Sequence, residues 1–235
     1  MTIRGSFLLM AVVLGLVGRR DPLFVAAWVA IVFVSILIHE LGHAFTARGL
    51  GAEVAIELNG IGGLTRWAVP ANEMTPGRRA LVAAAGSAVG VVFGGLVWFV
   101  ATRFGPYSGL TSFVINNLIF INLFWGLINW LPIRPLDGGH LLEALLQKVA
   151  PNRAEPIARV VFTLVSGAVL AWAINSGNFF IAILAGWMLV SEFGSPRARQ
   201  MMGPAPDLSY DKVDEPDLPQ EPIDVEWEDP DTTDH

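Results

Sequence analysis

The sequence contains no cysteine, which excludes disulfides, thiolate metal sites and cysteine nucleophiles. Charge is scarce: 15% of the 235 residues are Asp, Glu, Lys or Arg, against 53% hydrophobic residues and a mean hydropathy of +0.54. A soluble domain of this size needs more charge to cover its own surface. The four histidines are His39, His43, His140 and His235, so metal ligands of that type are few. The net charge of −6 conceals an asymmetry, because twelve of the 21 acids lie from Pro204 onward beside a single lysine. The remaining body is mildly basic. No basic nucleic-acid-binding patch is apparent, and no nucleic-acid partner is expected.

What the chain has instead is long apolar runs. Residues 22–45, 76–104, 110–131, 157–174 and 179–193 read as membrane spans, since about 20 apolar residues cross the hydrocarbon core. Residues 6–18 are apolar but short. They follow Arg4, as a signal peptide would, yet Arg19, Arg20 and Asp21 replace a small-residue cleavage site, so a retained first helix is expected. The fold class is therefore all-α and polytopic, with about six transmembrane helices. Residues 52–67 break the pattern. Val54, Ile56 and Leu58 alternate with Glu53, Ala55 and Glu57 and lead into Gly60, Gly62 and Gly63, which predicts a small membrane-associated β-hairpin or sheet after the second helix. Residues 141–149 read as a short amphipathic helix. Residues 1–203 form the expected transmembrane domain, with core motifs in 22–149. Residues 204–235, acidic and proline-rich, are expected to be a disordered cytoplasmic tail. Trp28, Trp98, Trp125, Trp130, Trp172 and Trp187 read as interface anchors or packing residues, and Glu192 as an interface residue.

Basic residues in short loops set orientation. With the C-terminal end of the second span in the cytoplasm, Arg19, Arg20 and Arg103 lie outside and the other twelve Lys and Arg lie inside. Both termini are then cytoplasmic. This is the pattern of a multi-pass protein of a prokaryotic cell membrane.

His39-Glu40-Leu41-Gly42-His43 is an H-E-x-x-H motif. On a helix, residues four apart share a face, so both imidazoles can reach one zinc ion and the glutamate can contact a zinc-bound water. The motif alone is moderately specific. Its place in an apolar span strengthens it, because ionisable groups in hydrocarbon are costly and mark sites. The alternative is a set of ordinary polar residues at headgroup depth. A catalytic zinc needs a third protein ligand and an open position. Candidates are few: His140, and Asp137 between a proline-broken helix and two glycines. Irregular backbone at membrane depth is tolerated only beside protein or a watery cavity.

These motifs, with Asn129-x-x-Pro132-x-x-x-Leu136-Asp137-Gly138-Gly139, resemble the site-2 protease family of intramembrane zinc metalloproteases. The resemblance covers about residues 22–149. It implies one Zn²⁺ held by His39, His43 and Asp137, with Glu40 activating water and Asn129 helping to hold the substrate or the oxyanion. It also implies contacts to substrate at Asn122, Gly62 and Gly63. Asn122 reads equally well as a polar packing residue, and the glycine pair as a simple turn. His140 is a spare ligand or a helix-start residue. A Gly-Pro-x-x-Asn pattern of many relatives is absent, with Gly86-Ser87-Ala88-Val89-Gly90 in its place. Neither a PDZ nor a CBS domain has room, so a compact form is expected. The implied substrates are single-span membrane proteins or remnant signal peptides. Two rivals are an inactive relative that binds helices as an adaptor and a membrane zinc-binding or transport protein.

Overall fold

A computed structural model of the chain describes residues 1–18, 21–60, 62–68 and 74–193. The acidic segment 204–235 lies outside the described residues.

Helix α1 (Gly5–Gly18) is short, and α2 (Pro22–Gly49) runs 28 residues through the H-E-x-x-H motif. Asp21 caps α2 by accepting the Leu23 N–H at 2.9 Å, and Pro22 enters its first turn, where a missing N–H costs nothing. A chain reversal with Gly51 at φ 89° leads to strands β2 (Glu53–Asn59) and β3 (Gly62–Ala68), paired antiparallel from Glu53↔Ala68 to Asn59↔Gly62. The alternation seen in sequence holds: Ile56 and Leu58 pack with Phe7 and Ala44, on the face that meets α1 and α2. Glu57, on the other face, pairs with Arg4 and Arg66. The sheet has a third strand, β1 (Thr2–Ile3), parallel to β2, so the sheet order is β1-β2-β3. Two residues carry no periodicity, and that strand had no signal in the sequence. The fold is thus mostly helical with a small sheet fed from both sides of α1 and α2, rather than a hairpin after α2 alone.

Helix α3 (Pro76–Phe104) crosses α2 closely. Helix α4 (Gly109–Ile128) follows, and its stretch Phe120–Trp125 is π-helical, a widening that the hydropathy of 110–131 did not signal. The turn 129–136 then leads to α5 (Asp137–Val149), α6 (Ala154–Asn175) and α7 (Phe179–Phe193). Helix α5 is four residues longer than its amphipathic pattern suggested, and Asp137 is its first residue rather than a loop residue.

Among the described residues, four helical segments are long and apolar enough to cross a membrane: Pro22–Gly49, Pro76–Phe104, Gly109–Ile128 and Pro151–Asn175. The other two apolar segments, Gly5–Val17 and Phe179–Phe193, are shorter. Large apolar side chains such as Leu96, Leu164, Ile183 and Val190 face outward, a surface suited to hydrocarbon and not to water. The chain is an integral membrane protein.

Candidate metal centre

Helix α2 places His39 and His43 one turn apart, and their Nε2 atoms lie 3.1 Å from each other. Helix α5 brings Asp137 to the same point: Oδ2 is 3.4 Å from His39 Nε2, and Oδ1 is 3.3 Å from His43 Nε2. Among the described residues these three form the group able to hold a metal ion. The donor chemistry fits zinc. Tetrahedral bonds of about 2.0–2.1 Å set ligand atoms about 3.3 Å apart, close to the spacing of the two imidazole nitrogens and to the distance from each of them to one or other Asp137 oxygen. Two imidazole nitrogens with lone pairs aimed at one point also repel unless a proton or cation lies between them.

The surroundings orient these donors. The His43 Nδ1–H donates to the Val82 carbonyl at 2.7 Å, which leaves the Nε2 lone pair for a metal. The Ser87 hydroxyl donates to Asp137 Oδ2 at 2.7 Å. Burial opposes ionisation of Asp137, but His43, His39 and Ser87 outweigh it and hold the carboxyl below its ordinary pKa. Gly42 and Gly86 let α2 and α3 approach: a Cβ on Gly42 would stand 2.7 Å from the Ala85 carbonyl, and one on Gly86 would collide with the His43 ring. Gly86, which stands where many relatives have a different pattern, therefore makes room for a ligand.

Glu40 is 5% exposed, and β3 covers it. The Thr65 hydroxyl lies 2.6 Å from Glu40 Oε2 and 3.1 Å from the Glu40 carbonyl oxygen; its single proton serves one of them at a time. Gly63 packs so closely on the Glu40 carboxylate that a Cβ there would overlap it. Gly62 begins β3 at φ 146° and does not approach the cluster through any side chain.

Helix α4 meets α2 at two points one α2 turn apart. The Asn122 amide nitrogen donates to Ser35 Oγ at 2.8 Å and to the Leu118 carbonyl at 2.8 Å, and the residue is 3% exposed. Asn129 lies further along, its amide nitrogen 3.4 Å from His39 Nε2. Asn129 therefore borders the donor cluster, whereas Asn122 is engaged in helix packing. His140 stands outside the donor triangle, and burial lowers its pKa despite the charge of Asp137.

The profile described as Peptidase family M50 matches residues 106–172, which include Asn129 and Asp137. The Synechocystis protein sll0528, named among zinc metalloproteases, is 35% identical over 176 residues, covering 70% of this chain and 45% of its own length. Zinc metalloprotease MJ0392 of Methanocaldococcus jannaschii is 27% identical over 224 residues, covering 87% of this chain and 65% of its own. The solved structure of a site-2 protease from Methanocaldococcus jannaschii superposes with a TM-score of 0.58 at 25% identity, covering 81% of this chain and 88% of that one. The chain thus carries a Peptidase family M50 match over residues 106–172 and resembles a solved site-2 protease over most of its length. The chain spans less than two thirds of the length of either curated relative. Its potential zinc-binding group is His39, His43 and Asp137.

Three residues that serve the ligands or Glu40 were not assigned to the site from sequence: Thr65, Val82 and Ser87. Only Ser87 left a trace, as a hydroxyl in the middle of an apolar helix. Replacing Ser87 with Ala should weaken zinc binding about 10- to 100-fold, the usual cost of losing an outer partner of a metal ligand. Chelator competition on the purified protein measures it.

Proposed function

We propose that this protein is an intramembrane zinc metalloendopeptidase of the site-2 protease type, which hydrolyses peptide bonds within or near transmembrane segments of membrane-tethered proteins. The observation that supports it most is the buried triangle of His39, His43 and Asp137, with Glu40 adjacent in sequence and set on the same helix. Zinc held by these residues would supply Lewis-acid activation of water and of the scissile carbonyl.

The chain's own residues account for the rest. Glu40 acts as general base toward the attacking water and then delivers the proton to the leaving amine. Thr65 orients the Glu40 carboxylate through its hydroxyl. Asn129, beside His39, offers amide N–H groups to the developing oxyanion, an interaction typically worth about 3–4 kcal/mol. Strand β3 has one strand neighbour among the described residues, so its outer edge is open to an extended substrate by strand addition, with Gly62 and Gly63 at its start. An unwound substrate is required, because an intact helix shields its own carbonyls. In this reading Asn122 acts on substrate through the packing of α4 on α2.

Six membrane spans are proposed, counting the two shorter apolar segments, with residues 1–203 as the catalytic domain. The distribution of Lys and Arg favours cytoplasmic termini and a site toward the cytoplasmic leaflet of a prokaryotic cell membrane. Substrates are single-span proteins or remnant signal peptides. The test is the purified protein in proteoliposomes with a single-span reporter and zinc. Cleavage that stops on zinc removal supports the proposal. Helix binding without cleavage by zinc-loaded protein, or zinc flux without cleavage, would replace it.

A further inference from the structure

Arg134 lies in the turn between Asn129 and Asp137, and its side chain leads away from the metal centre. Its Nε is 3.1 and 3.4 Å from the carboxylate oxygens of Glu192 on α7, and its Nη1 is 2.8 Å from Glu143 on α5. Its Nη2 is 3.6 Å from Glu155 on α6, and its guanidinium carbon stands 5.1 Å from the centre of the Phe162 ring, also on α6. The Arg134 side chain is 11% exposed and that of Glu192 2%. Glu192, read from sequence as an interface residue, is thus buried under an arginine. Charges this well buried persist only when paired, and here one guanidinium joins all three C-terminal helices.

The turn that carries Arg134 is itself tightly closed. The Gly138 N–H donates to the Asn129 carbonyl at 2.8 Å, Leu136 N–H to Ile133 at 2.9 Å, and Gly139 N–H to Leu136 at 3.0 Å. Ile133 is buried within it. A displacement of Arg134 is therefore passed to Asn129 and Asp137 together. Helix α7 packs on α6, and the Arg134–Glu192 pair adds a polar tie between α7 and the ligand turn.

We infer that Arg134 is a positioning residue, which fastens the Asp137 turn to the α6–α7 hairpin through Glu192 and so makes the zinc-site geometry depend on where that hairpin sits. This inference rests on the metalloprotease reading of the site. Arg134 touches no reacting atom. Its planar fork engages carboxylates from three helices at once, which the single ammonium of lysine does not reproduce.

The test uses the full-length protein in detergent, loaded with Zn²⁺ for affinity by chelator competition and with Co²⁺ for the ligand-field spectrum. Arg134→Gln and Glu192→Gln should each weaken zinc binding by about 10-fold or more and shift the cobalt bands, with helical content unchanged. The double variant should be no weaker than the worse single variant, because both remove one interaction. Arg134→Lys should recover part of the loss. If Arg134→Gln does not fold, Glu192→Gln decides, since it keeps the volume and leaves Arg134 paired with Glu143. Wild-type zinc affinity with unshifted cobalt bands in a folded Gln variant overturns the inference. A wild-type protein that binds no zinc would instead overturn the metalloprotease reading, and this inference with it.

Discussion

Glu40→Gln is expected to reduce peptide hydrolysis by about 10²- to 10⁴-fold, the usual contribution of a positioned general base, while zinc remains bound. The substitution is nearly isosteric. His39, His43 and the distal Asp137 keep their donor atoms within hydrogen-bonding range of one another, because none of their hydrogen bonds runs through the Glu40 side chain. Thr65 can still donate to the carbonyl oxygen of a glutamine amide in place of Glu40 Oε2. What disappears is the capacity to accept a proton. The loss should fall on kcat, with KM little changed, since an interaction made only in the transition state is removed. Steady-state cleavage of a single-span reporter in proteoliposomes, with metal content measured on the same samples, checks both halves. Full activity in this variant would remove Glu40 from the chemistry. Loss of zinc along with activity would make Glu40 a structural support of the centre.

Asp137→Ala is expected to weaken zinc binding by about 10²- to 10³-fold and to abolish cleavage at limiting zinc. The magnitude follows from the free energy of small zinc sites, about 10–16 kcal/mol spread over about four ligands, with about 1.4 kcal/mol per tenfold change. The structure adds a reason for a loss at the upper end. Without the carboxylate, the buried Ser87 hydroxyl on α3 loses its partner, and the two imidazoles lose the anion that lies within 3.4 Å of both. Excess zinc should restore binding before it restores activity, because the ligand also sets the geometry of the open position. Equilibrium dialysis at graded zinc concentrations separates the two effects. Unchanged zinc affinity would place the third ligand elsewhere, with His140 the nearest candidate.

The parts of the site legible in the sequence are those encoded locally. His39 and His43 are four residues apart, so helical geometry alone brings them together. Asp137 had no such spacing; the scarcity of ligands, the broken helix before it and the family pattern singled it out. The structure puts it within 3.4 Å of both histidines. Groups that act across long separations were not legible. Thr65 reaches Glu40 over 25 residues, Ser87 reaches Asp137 over 50, and Arg134 reaches Glu192 over 58. Each is an ordinary residue in its own segment, and its role exists only once the helices have packed.

The same division holds for the fold. Apolar length predicted the long helices, and two-residue alternation predicted β2 and its inward face. The two-residue strand β1 depends on tertiary pairing with β2, and the π-helical stretch of α4 lies packed against α3; no local pattern records either. Residues 86 and 63 are a middle case. Glycine there was visible, but that each clears space for His43 or Glu40 follows only from the positions of α3 and β3.

One zinc ion is expected to sit among His39, His43 and Asp137. X-ray absorption at the zinc edge, on the purified wild-type protein with metal content determined in parallel, tests it most directly. One zinc per chain is expected, with two imidazole nitrogens and carboxylate oxygen at about 2.0–2.2 Å, and loss of that signal in His43→Ala. A zinc-free protein, or the same zinc spectrum in wild type and His43→Ala, would contradict it.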